Sequence, residues 1–181
     1  YDLVAKHKDK GTLENIREAK VNPPYHHIPT DVYKSSIALF LAEMLRNTIQ
    51  EEEKNEALFH FLEESFTSLD TMKNFANFHL WFLVKLTRYV GFFPNTETLE
   101  APFFNLLDGD FQKFETNKYC ISNTNTYLLK QFLEQTPAEA LELKLNQTQR
   151  KSFLEMMLLY YELQLQGFRK PKSLDILYQL F

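Results

Sequence analysis

The feature that most constrains the fold of this sequence is a stretch, residues 74–90, that is apolar on nearly every side of a helix. Its apolar positions are Phe75, Phe78, Leu80, Trp81, Phe82, Leu83, Val84, Leu86, Tyr89 and Val90. A surface helix carries an apolar stripe on one face, whereas a helix that is apolar all round must be buried. The sequence therefore predicts a central helix that other elements cover, with Gly91 available to end it.

Apolar residues at helical spacing predict further helices on both sides of this segment. Before it, one helix begins after a cap at Thr30 or Asp31, and a second begins near Asn55. After it, the same period predicts two short helices, a long apolar helix and a last helix that Ser173 can cap. Their ranges are 127–133, 137–143, 148–165 and 174–181. The predicted fold class is mainly α.

The N-terminal part of the chain follows a different pattern. Residues 1–8 and 13–20 predict two short strands, joined as a hairpin through a turn in which Gly11 can adopt a positive φ. Two isolated strands are only marginally stable in water, so we expect the hairpin to be the edge or remnant of a larger sheet. Because the chain opens YDLVAKHKDK, without a methionine or signal peptide, we also expect it to begin inside a longer protein.

A long connection, residues 92–125, separates two of the predicted helices. It contains FFNLLDGDFQKF, which predicts a small hairpin around Asp108, Gly109 and Asp110. Connections of this length are often functional or form small inserted units.

Composition excludes several classes of protein. The only glycines are Gly11, Gly91, Gly109 and Gly167, and their wide spacing rules out the phosphate-binding loops of nucleotide-binding α/β enzymes. The single Cys120 excludes an internal disulfide and any zinc site with two or more cysteines, and it fits a reducing cytosol. No apolar run approaches the roughly 18 residues needed to span a bilayer. The formal charge of −4 argues against a strongly basic nucleic-acid footprint over the whole chain.

No combination of residues predicts catalysis or a metal site. His26 and His27 are adjacent in a loop, where two histidines rarely face one metal ion. His60 and His79 belong to different helices, where we expect them to be half-buried. A reactive Cys120 thiolate, and with it a hydrolase, is left as an alternative. The sequence therefore favours a binding protein over an enzyme.

Two basic clusters are more informative. The N-terminal hairpin concentrates cations, although four acidic residues dilute them, and strand alternation predicts Lys6 and Lys8 on one face. A second cluster follows Gly167 and contains no acidic residue before Asp175. Such cations can contact nucleic-acid phosphates, and the alternative is a solvated surface. The candidate DNA-binding residues are Lys6, Lys8, Lys10, Arg17, Lys20, Arg169, Lys170 and Lys172.

Three blocks of the sequence together resemble the RecO family of bacterial recombination mediators and DNA repair proteins. They are DLVAKHKDKGTLENIREAKVNPPYHHIPTDVYKSSIALFLAEML, NFANFHLWFLVKLTRYVGFFPN and LLYYELQLQGFRKPKSLDILYQLF, which cover about half of the chain in the family's order. The resemblance implies that residues 1–24 are the last strands, or remnant, of an N-terminal OB-fold. Residues 25–181 would then form the helical C-terminal domain, with an irregular insert at 92–125.

The resemblance also implies a function. Family members bind single- and double-stranded DNA, anneal complementary strands and act with RecR to load RecA onto DNA covered by single-strand-binding protein; they are not enzymes. Some carry a four-cysteine zinc module where this chain has only Cys120, so we expect a zinc-free member without a cofactor. The expected location is the bacterial cytoplasm, in association with the nucleoid.

Family members also bind the acidic, apolar C-terminal tail of single-strand-binding protein on the helical domain. The matching candidate residues here are Phe78, Leu80, Trp81, Lys85 and Arg88. Lys170 and Lys172 are expected nearby, and a cation that the family places early in this block is replaced by Ala76-Asn77. The alternative function is a helical protein-interaction or regulatory domain without nucleic-acid binding.

Overall fold

The structure, a computed structural model, describes residues 2–6, 8, 15–22, 24–49 and 54–181, and most of its regular elements are helices. Within these residues the strands are β1 (Asp2–Ala5), β2 (Ile16–Lys20), β3 (Phe103–Asn105), β4 (Asp110–Gln112) and β5 (Cys120–Ile121). The helices are α1 (Val32–Thr48), α2 (Glu56–Thr71), α3 (Phe78–Leu86), α4 (Thr124–Glu134), α5 (Pro137–Leu141), α6 (Gln147–Gln164) and α7 (Leu174–Leu180). The predicted mainly helical fold with an N-terminal hairpin is confirmed. In the described part of the chain, no helix has the length and apolar character needed to cross a membrane.

Helix α3 lies at the centre of the fold, as its composition predicts. Every side chain of α3 except that of Lys85 is buried. Helices α4, α5 and α6 pack directly against it, and the Tyr161 hydroxyl of α6 donates a hydrogen bond to the Leu83 carbonyl oxygen at 2.8 Å. The buried apolar residues form one continuous core around this helix.

The central helix, Phe78–Leu86, is shorter at both ends than the predicted range of 74–90. Asn77 precedes the helix but does not cap it; its side-chain amide donates instead to the carbonyl oxygen of Leu143 at 2.7 Å. After Leu86 the chain continues in turns, and Gly91 adopts a φ of 89°. That left-handed conformation allows the Phe92 amide to donate to the Thr87 carbonyl, which ends the helical stretch.

The N-terminal strands form an antiparallel hairpin that is exposed on both faces. Asp2 pairs with Lys20, and the register shifts between Val4 and Ala5. All described residues of both strands are exposed, including Leu3 at 56% and Ile16 at 59%. The predicted turn with Gly11 lies outside the described residues.

One carboxylate, that of Asp70, attaches the segment before α1 to the end of α2. It accepts hydrogen bonds from the backbone amides of His26, His27 and Ile28, at 3.0, 2.8 and 2.7 Å. Burial alone raises the pKa of Asp70, but these three donors and the nearby His27 lower it to about 2. The buried Lys34 ammonium donates to the carbonyl oxygen of Asp70 at 2.7 Å, which satisfies the C-terminal end of α2. Asp70 is therefore ionised and fully hydrogen-bonded at neutral pH.

The region between α3 and α4 is a small sheet rather than an irregular loop. Strands β3 and β4 form the predicted antiparallel hairpin, and β5, which the sequence pattern did not indicate, pairs with the other edge of β3. Gly109 in the turn has a φ of 72°, and a Cβ atom there would lie 2.8 Å from the Tyr160 hydroxyl oxygen. Only glycine fits this turn, because both the conformation and the space exclude a side chain.

His79 is fully buried on α3, and the prediction that it is half-buried is wrong. Its ring packs against the rings of Phe40 and Phe181, with centroids 6.4 and 5.5 Å away. Burial, together with the positive charge of Arg150, lowers the pKa of His79 to about 3. The same prediction is wrong for His60, which is exposed because it lies on the solvent face of α2.

We expect His79 to make the protein less stable as the pH falls below neutrality. The unfolded chain gains a proton near pH 6.5 that the folded chain does not accept until about pH 3. Between about pH 7.5 and about pH 5.5 this difference lowers the free energy of unfolding by about 1.4 kcal/mol. Urea unfolding of the wild type and of His79→Phe at both pH values measures it. The variant should lose less stability than the wild type, while His60→Gln should behave like the wild type; equal losses in all three contradict the assignment.

Candidate functional site

The hairpin cations are exposed, but the strands do not align them as predicted. Strand β1 ends at Ala5, so Lys6 and Lys8 follow the strand instead of alternating along it. Arg17 and Lys20 lie on β2, where Lys20 is directly opposite Asp2. Lys10 lies outside the described residues. The hairpin therefore presents cations mixed with acidic groups and not a uniform basic face.

The second basic cluster meets the C-terminal end of α1 in a surface depression, which we call the basic pocket. This pocket has a volume of about 690 Å³. Its lining residues are Glu43, Arg46, Asn47, Gly167, Arg169, Lys170, Pro171 and Lys172. The structure thus brings the three predicted cations of the segment after α6 together with Arg46, which sequence analysis did not select. Arg46 lies in the last turn of α1, and no local motif distinguishes it from an ordinary helix-end cation.

Hydrogen bonds from α1 hold the backbone of the basic pocket in place. The Glu43 carboxylate accepts from the backbone amide and the hydroxyl of Ser173, each at 2.9 Å. The side-chain amide of Asn47 donates to the carbonyl oxygen of Arg169 at 2.6 Å. The Ser173 amide hydrogen bond, helped by the Ser173 hydroxyl and by Lys172, lowers the pKa of Glu43 despite its partial burial. Ser173 is the N-cap residue of α7, as predicted, but its side chain makes no capping hydrogen bond, and its hydroxyl donates to the Glu43 carboxylate.

The pocket carries a surplus of positive charge. Lys170 has an ion pair with Glu162 at 3.6 Å, and both side chains are about half exposed. Exposed pairs of this kind contribute little and exchange readily with other ions. Within the described ranges, no carboxylate forms an ion pair with Arg46, Arg169 or Lys172. The pocket can therefore accept an anion.

Of the predicted peptide-binding residues, Phe78, Leu80 and Trp81 are buried, whereas Lys85 is half-buried and Arg88 is exposed. Phe78 and Leu80 are 1% and 0% exposed, so their side chains belong to the core and are not available to a peptide. Trp81 is 8% exposed. Lys85 is half-buried and donates to the carbonyl oxygen of Leu133 at 3.3 Å, and burial, with the neighbouring charge of Arg88, lowers its pKa. Arg88 is exposed and lies over the Phe93 ring, 4.3 Å from its centroid.

Three polar atoms near this face of α3 lack hydrogen-bond partners within the described part of the chain. They are the Trp81 indole nitrogen and the amide oxygens of Asn77 and Gln135. Asn77, Trp81 and Lys85 are four residues apart, so they share one side of the helix. This side meets the ends of α4 and α5, as the hydrogen bonds from Lys85 to Leu133 and from Asn77 to Leu143 show. We call Trp81, Lys85 and Arg88 the α3 edge.

The region between α3 and α4 contributes an apolar cavity and the single cysteine. The cavity has a volume of about 600 Å³ and is lined by Phe111, the exposed Phe114, Pro102 and their neighbours. Burial alone raises the pKa of the Cys120 thiol, but hydrogen bonds from Thr116 and the Asn117 backbone lower it. In the part of the chain that the structure describes, no three His, Cys, Asp or Glu side chains come together to hold a metal ion.

Comparison with known proteins finds relatives along almost the whole chain. The family model described as Recombination protein O C terminal matches residues 29–175. A protein named DNA repair protein RecO from Christiangramia forsetii is 53% identical over 181 residues, which cover 99% of this chain and 75% of the relative. Proteins of the same name from Flavobacterium johnsoniae and Bacteroides fragilis are 42% and 38% identical, cover 99% of this chain, and are themselves covered to 75% and 76%. No solved structure matches the chain.

We expect Ser173→Ala to loosen the basic pocket and destabilise the protein. The Glu43 carboxylate loses one of its two donors at Ser173, and a hydrogen bond to a charged group contributes about 1.5 to 3 kcal/mol. Urea unfolding measures the loss. The matched control is Ser68→Ala on the exposed surface of α2, where a change within about 0.5 kcal/mol is expected. Equal effects of the two substitutions contradict a structural role for the Glu43–Ser173 contact.

Proposed function

The chain belongs to the RecO family of DNA repair proteins, and from this premise we propose that it is a recombination mediator that acts by binding. In this proposal it binds and anneals DNA and, with RecR, helps to load RecA onto single strands covered by single-strand-binding protein. The observation that carries the proposal is the 53% identity, over 99% of the chain, to a protein named DNA repair protein RecO. The surplus of positive charge in the basic pocket supports it, because anion binding is what contact with a phosphate backbone requires.

We propose that residues 1–24 are the last strands of an OB-fold and that residues 25–181 are the helical C-terminal domain. The exposure of β1 and β2 on both faces supports this division, since strands with exposed Leu3, Val4 and Ile16 normally pack into a larger sheet. The sheet of β3, β4 and β5 then forms the insert at 92–125 and takes the place of the zinc module of other members.

We propose that the hairpin cations contact DNA and that the α3 edge contacts the acidic, apolar tail of single-strand-binding protein. The 8% of Trp81 that is exposed would supply the apolar contact, and Lys85 and Arg88 would hold the carboxylates. Phe78 and Leu80 would support this surface only from inside the core, because both are buried. We propose that the protein acts in the bacterial cytoplasm, in association with the nucleoid.

The mediator proposal predicts salt-sensitive DNA binding and faster strand annealing. We expect the affinity for a labelled single-stranded oligonucleotide to fall steeply between low and moderate salt, because phosphate contacts release counterions. Fluorescence anisotropy measures the affinity, and quenching of a dye-labelled strand by its labelled complement measures annealing. The double variant Lys6→Gln/Lys20→Gln should bind less tightly and show a shallower salt dependence.

Two outcomes separate the proposal from its alternative. If the chain neither binds nor anneals DNA at low salt, the mediator function is wrong. If it then still binds an acidic peptide, the helical protein-interaction domain is the better description.

The proposed tail site predicts that Trp81 reports peptide binding directly. Trp81 is the only tryptophan, so its fluorescence should change when a peptide with an acidic segment and an apolar C-terminus is titrated in. We expect Lys85→Ala and Arg88→Ala each to weaken this binding about tenfold, which corresponds to a loss of about 1.4 kcal/mol. Lys73→Ala, which removes an exposed cation outside the α3 edge, is the matched control. Unchanged affinity in both α3-edge variants excludes this site.

A further inference from the structure

The basic pocket brings together cations that are more than 120 residues apart in sequence, as the bond from Asn47 to Arg169 across 122 positions illustrates. We infer that this pocket binds the phosphate backbone of single-stranded DNA and that Arg46 is one of the residues that contact it. The pocket is then a DNA site on the helical domain, distinct from the hairpin. This inference rests on the proposed DNA-binding function and gives it a specific location.

The charge of the pocket favours an anionic ligand. Four of its lining side chains are cationic, namely Arg46, Arg169, Lys170 and Lys172, and only Glu43 is acidic. A carboxylate oxygen that accepts hydrogen bonds is less available to a nearby cation. One oxygen of Glu43 already accepts both hydrogen bonds from Ser173. Even with Glu43 ionised, the lining groups retain a net positive charge, and the exposed pair between Lys170 and Glu162 can open at small cost.

The backbone of the pocket is already ordered before a ligand arrives. Pro171 is buried, Asn47 holds the carbonyl of Arg169, and Ser173 is fixed to Glu43. Gly167, with a φ of 81°, turns the chain out of α6 towards this position. The side chains of Arg46, Arg169 and Lys172 are nevertheless exposed. A ligand therefore meets accessible cations on a fixed backbone, so binding has to order only their side chains.

The lining chemistry favours a phosphate backbone over an acidic, apolar peptide. The nonpolar residues of the pocket are Gly167 and Pro171, so it has no apolar surface that could bind a bulky apolar side chain. The only side-chain amide, that of Asn47, already donates to the Arg169 carbonyl, and the lining contains no aromatic side chain on which a base could stack. Contacts between cations and phosphates carry no sequence information. The pocket should therefore bind single strands of any sequence.

The test compares the salt dependence of DNA binding in matched charge variants. The pocket variant is Arg46→Gln/Lys172→Gln, and the control is Lys73→Gln/Lys144→Gln, which removes the same charge from exposed positions outside the pocket. Fluorescence anisotropy with labelled oligothymidylate and oligoadenylate gives the affinity at several salt concentrations. Arg169→Gln/Lys172→Gln, which leaves α1 unchanged, serves as a second pocket variant, and thermal unfolding verifies that each variant is folded.

We expect each pocket variant to bind both oligonucleotides roughly tenfold more weakly than the wild type at low salt. The slope of log affinity against log salt should become shallower by about 1.4, because each phosphate contact to a single strand contributes about 0.7. The control should keep the wild-type slope.

Each contrary result has its own meaning. If the wild type binds DNA and both pocket variants keep its affinity and slope, the pocket inference is wrong while the proposed function stands. If the wild type does not bind DNA, both are wrong. If the pocket variants lose binding to a labelled acidic peptide but keep DNA binding, the pocket is a peptide site and the DNA inference is overturned.

Discussion

The burial of α3 on all sides is the constraint on which the rest of the structure depends. A helix with eight buried side chains out of nine needs neighbours in every direction, and α4, α5 and α6 contact it directly. Its backbone also forms hydrogen bonds inside the core, where the Tyr161 hydroxyl donates to the Leu83 carbonyl oxygen. The surfaces available for recognition are therefore at the ends of this helix and on the elements that cover it. Lys85 and Arg88 extend from its C-terminal end, while the basic pocket forms on the outer side of α1.

The sequence was sufficient for the features that depend on local pattern. Helical periodicity located the helices, Asp31 is the cap of α1, and the hairpin predicted around Asp108 to Asp110 forms, with Asp110 as the first residue of β4. In each case the residues that determine the element are neighbours in the chain, so the signal is present in a short window.

The features that the sequence did not reveal depend on contacts between distant residues. Ser173 occupies the predicted N-cap position of α7, but its hydroxyl donates to Glu43, which is 130 positions away, and its side chain makes no capping hydrogen bond. Arg46 becomes part of the basic pocket only because the segment after α6 lies beside it. The sequence correctly predicts that Lys85 lies on the central helix. Its half-burial against Leu133, however, depends on where α4 ends. The burial of Phe78, Leu80 and Trp81 likewise depends on which neighbours cover each side of α3, and periodicity cannot distinguish the sides of a helix that is apolar all round.

The attachment of residues 26–28 to Asp70 has a consequence for how this family of sequences can change. The carboxylate binds three main-chain amides and requires no particular side chain at those positions. Substitutions there that retain the amide leave the contact intact, whereas proline removes a donor. Asp70 itself has no such freedom, because a longer or neutral side chain would change the reach or the charge of the acceptor. The path of the chain into α1 can thus be kept while the side chains along it change, provided that the acid at position 70 is retained.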